Sequence, residues 1–444
     1  MSRSRQIVER DRAAIGSAVY IRFYPMVPDK AERVTITDVD GKDYLDFTSG
    51  WSIVNTGYSH PKVVKAVKEQ IDRLSYASLT TFTHEPAVLL AERLIELTPG
   101  SFPKKVWFGL SGSDAGDCVY KLLPAYTGRH RLISFQGSVH GMTMGGLFLT
   151  GHRYAAKFEG SPRVTKVPYP YCYRCPFHQQ HPDCGLACLD FLEKQVFATS
   201  SPPEETAALV VESVQSDAGD VFPPQGYLPA LKELCQKNGI QFVASEVLVG
   251  YGRTGSLFAI EHDSVVPDVI ILGKPMASGM PLSAVVSRAE ILERTGAHLV
   301  TTGGNPVSCA AGLATLDVIA EERLADNAVR VGDYMKKRLL EIAERHSLIG
   351  DVRGRGLILG TELVRDRKSK EPASKETAKL CYRAWELGLL LHYVGIHSNV
   401  VEITPPLILN TEEAEMGLQI YEKALTDVEA GRVLDEKVAP FAGW

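Results

Sequence analysis

Asp268-Val-Ile-Ile-Leu-Gly-Lys274 carries a short apolar strand straight into a turn, and that turn opens on a lone amine. Lysine is rarely buried without a partner, so taken alone Lys274 reads as a solvated loop residue. Its neighbours change the reading. Ile240-Gln-Phe-Val-Ala-Ser-Glu-Val247 is a second apolar run, leading into the glycine-punctuated turn Gly250-Tyr-Gly-Arg-Thr-Gly255. Ala207-Ala-Leu-Val-Val-Glu-Ser-Val214 is a third, followed by Gln215-Ser-Asp217. Short apolar runs that end in polar residues are the pattern of parallel strands covered on both faces, with chemistry at their carboxyl ends. Upstream, Lys105-Val-Trp-Phe-Gly109 leads into Ser111-Gly-Ser-Asp114 and a helical stretch from Ala115 to Tyr126. Small residues at a helix start leave backbone N–H groups free to hold a phosphate, although serine and aspartate are also ordinary helix caps.

The organisation of the rest of the chain follows the same alternation. Helical patterns such as Tyr227 to Asn238 alternate with apolar strands through the middle of the chain, which predicts an α/β fold with a mostly parallel sheet flanked by helices. Near the start, Val34 to Asp46 reads as a hairpin turning at Asp40-Gly41. A long helix from Asp326 to Arg345 opens a different, α+β pattern. We expect a large domain at residues 56–320 and a small domain assembled from residues 1–55 and 321–444. With 444 residues, 45% of them hydrophobic, the chain can bury a large core. A net charge of −5 gives no general attraction to nucleic acid or to an anionic membrane. Met1 to Arg12 is charged throughout and no apolar run reaches membrane-spanning length, so the expected location is the cytoplasm.

A phosphate cradle, converging strand ends and a strand-terminal lysine together make a site for an aldehyde cofactor that bears a phosphate, and pyridoxal phosphate fits that description. Ser111-Gly-Ser-Asp-Ala115, Phe135 with His140-Gly141, Pro223-Pro-Gln-Gly-Tyr227, Glu246-Val247 with Gly252-Arg-Thr-Gly255, Gly273-Lys274 and Gly303-Gly-Asn-Pro306 run in a characteristic order. In that order and spacing the chain resembles the class III aminotransferases over most of its length. Ile349-Gly-Asp-Val-Arg-Gly-Arg-Gly356, Glu402-Ile-Thr-Pro-Pro-Leu407 and Phe441-Ala-Gly-Trp444 resemble the alpha-amino-epsilon-caprolactam racemase branch of that family.

The resemblance implies the fold of type I pyridoxal-phosphate enzymes, with a seven-stranded type of sheet, and a homodimer acting on a small-molecule amine. It implies that Lys274 carries the cofactor as a Schiff base and, once displaced by the substrate amine, removes the Cα proton. Ser111, Gly112 and Ser113 would hold the phosphate, and Val247 would pack under the ring. Val139, His140, Glu212, Gln215, Ser245 and Leu248 would complete the cofactor's surroundings. Thr301, with Thr302, would reach the phosphate of a neighbouring subunit.

Departures from the family pattern are as informative as the matches. Ser245 stands where the family has an aspartate that keeps the pyridine nitrogen protonated, and a serine supplies no charge to hold that proton. Return of a proton to Cα is then favoured over its transfer elsewhere. Val139 replaces a stacking aromatic, Gly116 a common polar residue and Leu248 a polar neighbour of the ring. Glu402 stands where many aminotransferases carry an arginine for the substrate carboxylate, which suits an amide, lactam or ester. Racemisation needs acid–base groups on both faces of a planar intermediate; Lys274 is one, and Asp217 is the candidate for the other, its alternative being a turn cap. Trp51 and Tyr393 are candidates for the substrate pocket, with Arg353 a further one, and a structural indole is the alternative for Trp51.

Cys172-x2-Cys175-x8-Cys184-x3-Cys188 has a spacing that could hold zinc or an iron–sulfur cluster. Its last interval suits one face of a helix better than a zinc knuckle, so reduced structural thiols and no metal are expected. Cys118, Cys235, Cys309 and Cys381 read as core residues. Three functions fit these observations: a racemase or epimerase of an amino amide, an aminocaprolactam-like lactam or an amino acid; an aminotransferase; and a catalytically impaired cofactor-binding homologue. Retention of Lys274 argues against the last.

Overall fold

The computed structural model describes every residue except Met1, Tyr20, Glu159, Gly443 and Trp444, so the last two residues of the Phe441–Trp444 motif lie outside it. The chain divides into two compact units. One comprises Pro61–Gly252 and Ser256–Glu322; the other comprises Met1–His60, Arg253–Gly255 and Arg323–Trp444.

The first unit is built on a seven-stranded sheet. In chain order its strands are β1 (Lys104–Gly109), β2 (Arg131–Phe135), β3 (Val164–Val167), β4 (Thr206–Glu212), β5 (Gln241–Ser245), β6 (Val269–Leu272) and β7 (Ser283–Arg288). Their order across the sheet is β1-β7-β6-β5-β4-β2-β3. β7 alone runs antiparallel to its neighbours β6 and β1; β6, β5, β4, β2 and β3 pair in parallel. The mostly parallel sheet predicted from the apolar runs is therefore present. All residues of β4 and β6 are buried, and burying each Val, Ile or Leu side chain stabilises the fold by about 1.5–3 kcal/mol. β4 ends two residues before the predicted Val214, because Ser213 turns its hydroxyl onto the Glu246 carboxylate and Gln215 pairs with Val221 instead.

The helix following β1 runs from Gly112 to Thr127 and so starts earlier than Ala115. A capping box explains this: Ser111 Oγ accepts from Asp114 N at 3.4 Å, and Asp114 Oδ2 accepts from Ser111 N at 3.2 Å and Leu110 N at 2.8 Å. Cys118, Cys235, Cys309 and Cys381 are all buried, and all eight cysteines are free thiols.

The second unit holds a four-stranded sheet, including the hairpin Thr35–Asp38 with Asp43–Asp46, in which Gly41 takes φ +85° at the turn. A five-stranded sheet includes His392–Val394 and Val400–Ile403 as antiparallel neighbours. The long helix spans Leu324–Arg345. At the centre of this unit lies Arg253, fully buried. Its guanidinium donates to the carbonyls of Leu357 and Pro405, to Ser49 Oγ at 3.3 Å and to Asn55 Oδ1. A buried guanidinium is costly unless most of its donors are met, as the two terminal nitrogens of Arg253 are here. Among the described residues, no helix is long and apolar enough to cross a membrane.

Candidate active site

Three parallel strands deliver three side chains to one edge of the sheet. Glu212, the last residue of β4, is the register partner of Ser245, the last residue of β5, and Ser245 is in turn opposite Ile271 of β6. Two residues beyond the end of β6 comes Lys274, half-buried, at the head of a short 3-10 turn. The convergence follows from register, since parallel strands starting level also end level.

The start of the Gly112–Thr127 helix meets this edge. A Cβ on Gly112 would lie 2.8 Å from Cγ1 of Val247, and one on Gly273 would lie 3.0 Å from the same atom. Val247 is therefore wedged between the helix start and the residue before Lys274, and only glycine leaves it room. Asp114 occupies the N–H groups of Leu110 and Ser111, so the cap accounts for those donors. The N–H groups of Gly112 and Ser113, which open the helix ahead of the capped Asp114 N–H, have no acceptor within the helix and suit an anion. Ser113 Oγ accepts from Met142 N at 3.0 Å, tying the loop after Val139 to the helix start.

Gly116 was unexplained from sequence, and packing explains it. A Cβ there would come within 2.4 Å of the His140 carbonyl oxygen. The glycine lets the 139–146 loop lie directly on the helix. His140 is 5% exposed, and neither ring nitrogen has a hydrogen-bond partner. Burial, aided by the Lys166 charge, pushes its imidazole down to about 3, so it remains neutral at ordinary pH. Val139 is half-buried and donates its backbone N–H to Glu212 Oε2 at 3.3 Å. Gln215 donates to the Gln136 carbonyl at 3.1 Å, and Leu248 is 8% exposed.

Glu212 is the electrostatic centre of this edge. Burial, and after it the charge of Asp217, push its carboxyl well above the usual range; the Val139 N–H, the Lys274 charge and Gln215 act in the opposite direction. Lys274 and Asp217 thus both act on one buried carboxyl, with opposite sign. Asp217 is half-buried in the turn after β4. Burial and then Asp217 and Glu212 also raise the Tyr154 phenol. Tyr154 sits in the 3-10 turn Arg153–Lys157, with its ring centroid 4.9 Å from that of His152. Sequence reasoning missed it, because no periodicity or motif links it to Asp217.

Thr301 and Thr302 are exposed in the loop before the helix Pro306–Glu321. The Thr301 carbonyl accepts from Tyr76 Oη and Ser78 Oγ, both at 3.0 Å, which fixes the loop.

The remaining candidates belong to the second unit. Trp51 is half-buried and Tyr393 is 2% exposed, the latter edge-on to Phe23 with centroids 4.9 Å apart. Arg353 is engaged by Asp351 at 2.6 Å and Glu362 at 2.8 Å. Glu402 is fully buried against His392. The sequence argument treated Glu402 as an isolated anion; the structure places the His392 imidazole within hydrogen-bond distance of it. Cys172, Cys175, Cys184 and Cys188 line one small cavity in the first unit, and among the described residues no group of three or more His, Cys, Asp or Glu is spaced to hold a metal.

Comparison with known proteins agrees with this architecture. The pattern of the class III aminotransferases matches residues 17–425. The chain is 42% identical over 440 residues to an alanine/serine racemase of Pyrococcus horikoshii, covering 97% of this chain and 92% of that protein. It is also 42% identical, over 448 residues and the whole of both chains, to a leucine/methionine racemase of Thermococcus litoralis. A crystal structure of a Bacillus anthracis aminotransferase superposes with a TM-score of 0.88 at 30% identity, over 96% of this chain and 99% of that one.

Glu246 supplies a test of the electrostatics beside Ser245. It is fully buried, accepts from Ala259 N and Ile260 N at 2.8 Å each and from Ser213, and burial pushes it up from 4.5 to about 7. Because the native value lies above the ordinary one, the native state holds this proton more tightly than the unfolded chain. The associated stability is whole below about pH 4.5 and is lost as pH rises through about 7, a change on the order of 3 kcal/mol. The melting temperature of Glu246→Gln relative to wild type should therefore rise steadily from pH 5 to pH 8; a difference independent of pH contradicts the assignment.

Proposed function

The chain belongs to the class III aminotransferase family, and on that premise we propose that it is an amino acid racemase or epimerase using pyridoxal phosphate. The observation that carries the reading is the pairing of Lys274 and Asp217 around Glu212, a basic and an acidic group acting on one buried carboxyl. The racemase relatives support it.

The residues present fit the cofactor. The close approach of Val247 to Gly112 and Gly273 leaves a glycine-lined helix start beside the lysine. Ser111, Gly112 and Ser113 would hold the phosphate, Val139 and Val247 would face the ring, and His140, Gln215 and Leu248 would enclose it. Bound there, pyridoxal phosphate supplies an aldehyde for the substrate amine and a ring that acidifies the Cα–H.

Lys274, as a neutral amine, takes the Cα proton on one face, and Asp217, in its carboxylic acid form, gives a proton on the other; in the reverse direction the Asp217 carboxylate takes the proton and the Lys274 ammonium gives one. Burial pushes the Glu212 carboxyl well above the usual range, which favours its neutral form beside Lys274 and Asp217. The Ser245 hydroxyl can hydrogen-bond the ring nitrogen but does not stabilise a proton on it, which favours returning the proton to Cα. The substrate class is the free amino acid, as the relatives' names suggest, with amides and an aminocaprolactam-like lactam as the alternative that Glu402 first suggested. A homodimer is part of the proposal, with the fixed Thr301–Thr302 loop reaching a partner's phosphate.

The competing reading is amino transfer to a keto acid, favoured by the likeness to the Bacillus anthracis aminotransferase. Incubation with pyridoxal phosphate and one enantiomer of alanine, leucine or aminocaprolactam in D2O separates the two. Cα deuteration with loss of optical purity, and no keto acid required, is the expected result. Turnover only after a keto acid is added would instead establish an aminotransferase. The Ser245→Asp variant should raise keto product relative to racemised amine; an unchanged ratio would rule out the electronic argument.

A further inference from the structure

Four thiols that take no part in the proposed reaction, Cys172, Cys175, Cys184 and Cys188, line one cavity of about 20 Å³. Two of them are the ends of a single turn. A 3-10 turn runs from Cys172 to Arg174 and is closed by Cys175. Side chains three residues apart eclipse in such a turn, and a rise of about 2 Å per residue sets their Cα atoms roughly 6 Å apart. Disulfides join Cα atoms separated by about 4.4–6.8 Å, so this pair can be bridged without moving the backbone. The other two are placed differently. Cys188 lies in the helix Ala187–Phe191, whereas Cys184 lies before its N-cap, Leu186, whose φ of 60° is left-handed. The interval that suits a helix face in the sequence therefore does not lie on one.

The Cys172–Cys175 turn is anchored on its N-terminal side. Tyr171 N donates to the Tyr169 carbonyl at 2.7 Å, and Tyr169 Oη donates to the Glu212 carbonyl at 2.9 Å with its ring edge-on to Phe135. A turn held in this way keeps the two thiols together, and an oxidant needs to reach only one of them. Cys172 is exposed and Cys175 is half-buried. Although the Cys172 side chain reaches solvent, partial burial and then the charges of Cys175 and Cys184 raise its thiol, and burial pushes the Cys188 thiol up to about 11. Neither is an activated thiolate, so exchange at this cluster is slow.

We propose that Cys172 and Cys175 are a reversible dithiol–disulfide couple, a modification site whose oxidant is a low-molecular-weight disulfide such as glutathione disulfide. The Cys172 thiolate attacks one sulfur of the oxidant; a mixed disulfide forms as the oxidant's S–S bond breaks, and one glutathione leaves as a thiolate and takes up a proton. The Cys175 thiolate then attacks the Cys172 sulfur and releases the second glutathione. The protein pair gives up two electrons and two protons, and two glutathione thiols receive them. The couple stands apart from the racemase reading, because neither thiol belongs to the set around Lys274.

The test exposes the holoenzyme to glutathione disulfide, alkylates the remaining thiols and maps unreduced peptides by fragment-ion mass spectrometry. The expected result is a Cys172–Cys175 disulfide formed within hours, two hydrogens lighter than the dithiol and reversed by dithiothreitol. Cys175→Ser should instead retain glutathione on Cys172 as a stable adduct, while Cys184→Ser and Cys188→Ser should close the bond within about threefold of the wild-type rate. No disulfide, a persistent glutathione adduct on wild-type Cys172, or a bond from Cys172 to Cys184 or Cys188 would overturn the proposal. So would thiols that react only after a chelator removes a co-purified metal ion, since the cluster would then be a metal centre. If a serine variant does not fold, the wild-type bond map decides alone.

Discussion

The candidate site depends on one register: Glu212 opposite Ser245, and Ser245 opposite Ile271, across three parallel strands buried on both faces. A slip of a single residue would turn every side chain of a strand to the other face of the sheet. The apolar residues of β4, β5 and β6 prevent that slip, because each would exchange a packed position for a mismatched one. Core packing thus fixes which polar residues meet at the sheet edge. Lys274 arrives there two residues after β6 ends at Leu272, and the intervening Gly273 allows Val247 to close against the turn.

Charge at that edge is arranged through burial more than through salt bridges. Burial pushes the Glu212 carboxyl up and the His140 imidazole down, both toward their neutral forms, and Ser245 brings no charge at all. Lys274 and Asp217 act on Glu212 with opposite sign, beside the raised phenols of Tyr154 and Tyr169, and they are the pair to which the proposal gives the two sides of one carbon. In the second unit, the buried Glu402 carboxyl lies within hydrogen-bond distance of His392 Nε2.

Much of this was legible in the chain because it is local. Apolar runs such as Val269–Leu272 and Thr206–Glu212 announce buried strands, Ser111 and Asp114 announce a helix start, and the positions of Ser245 and Lys274 follow from where those strands stop. The earlier start of the helix was a boundary effect of the capping box. What could not be read are contacts that depend on distant segments meeting. Nothing near Tyr154 marks it as a neighbour of Asp217, nothing near His392 announces Glu402 across the hairpin, and Gly116 made sense only once the His140 carbonyl lay against it. Arg253 lies in a glycine-rich loop, yet its hydrogen bonds are to residues near both ends of the chain.

The central claim is that two groups, Lys274 and Asp217, serve the two faces of one carbon. The most direct test is to follow Cα hydrogen exchange and inversion separately in D2O, starting from each pure enantiomer, with the Asp217→Asn holoenzyme. The account predicts that one enantiomer still exchanges its Cα hydrogen with Lys274 but is not inverted, and that the other does neither. Exchange and inversion of both enantiomers at wild-type rates would contradict it.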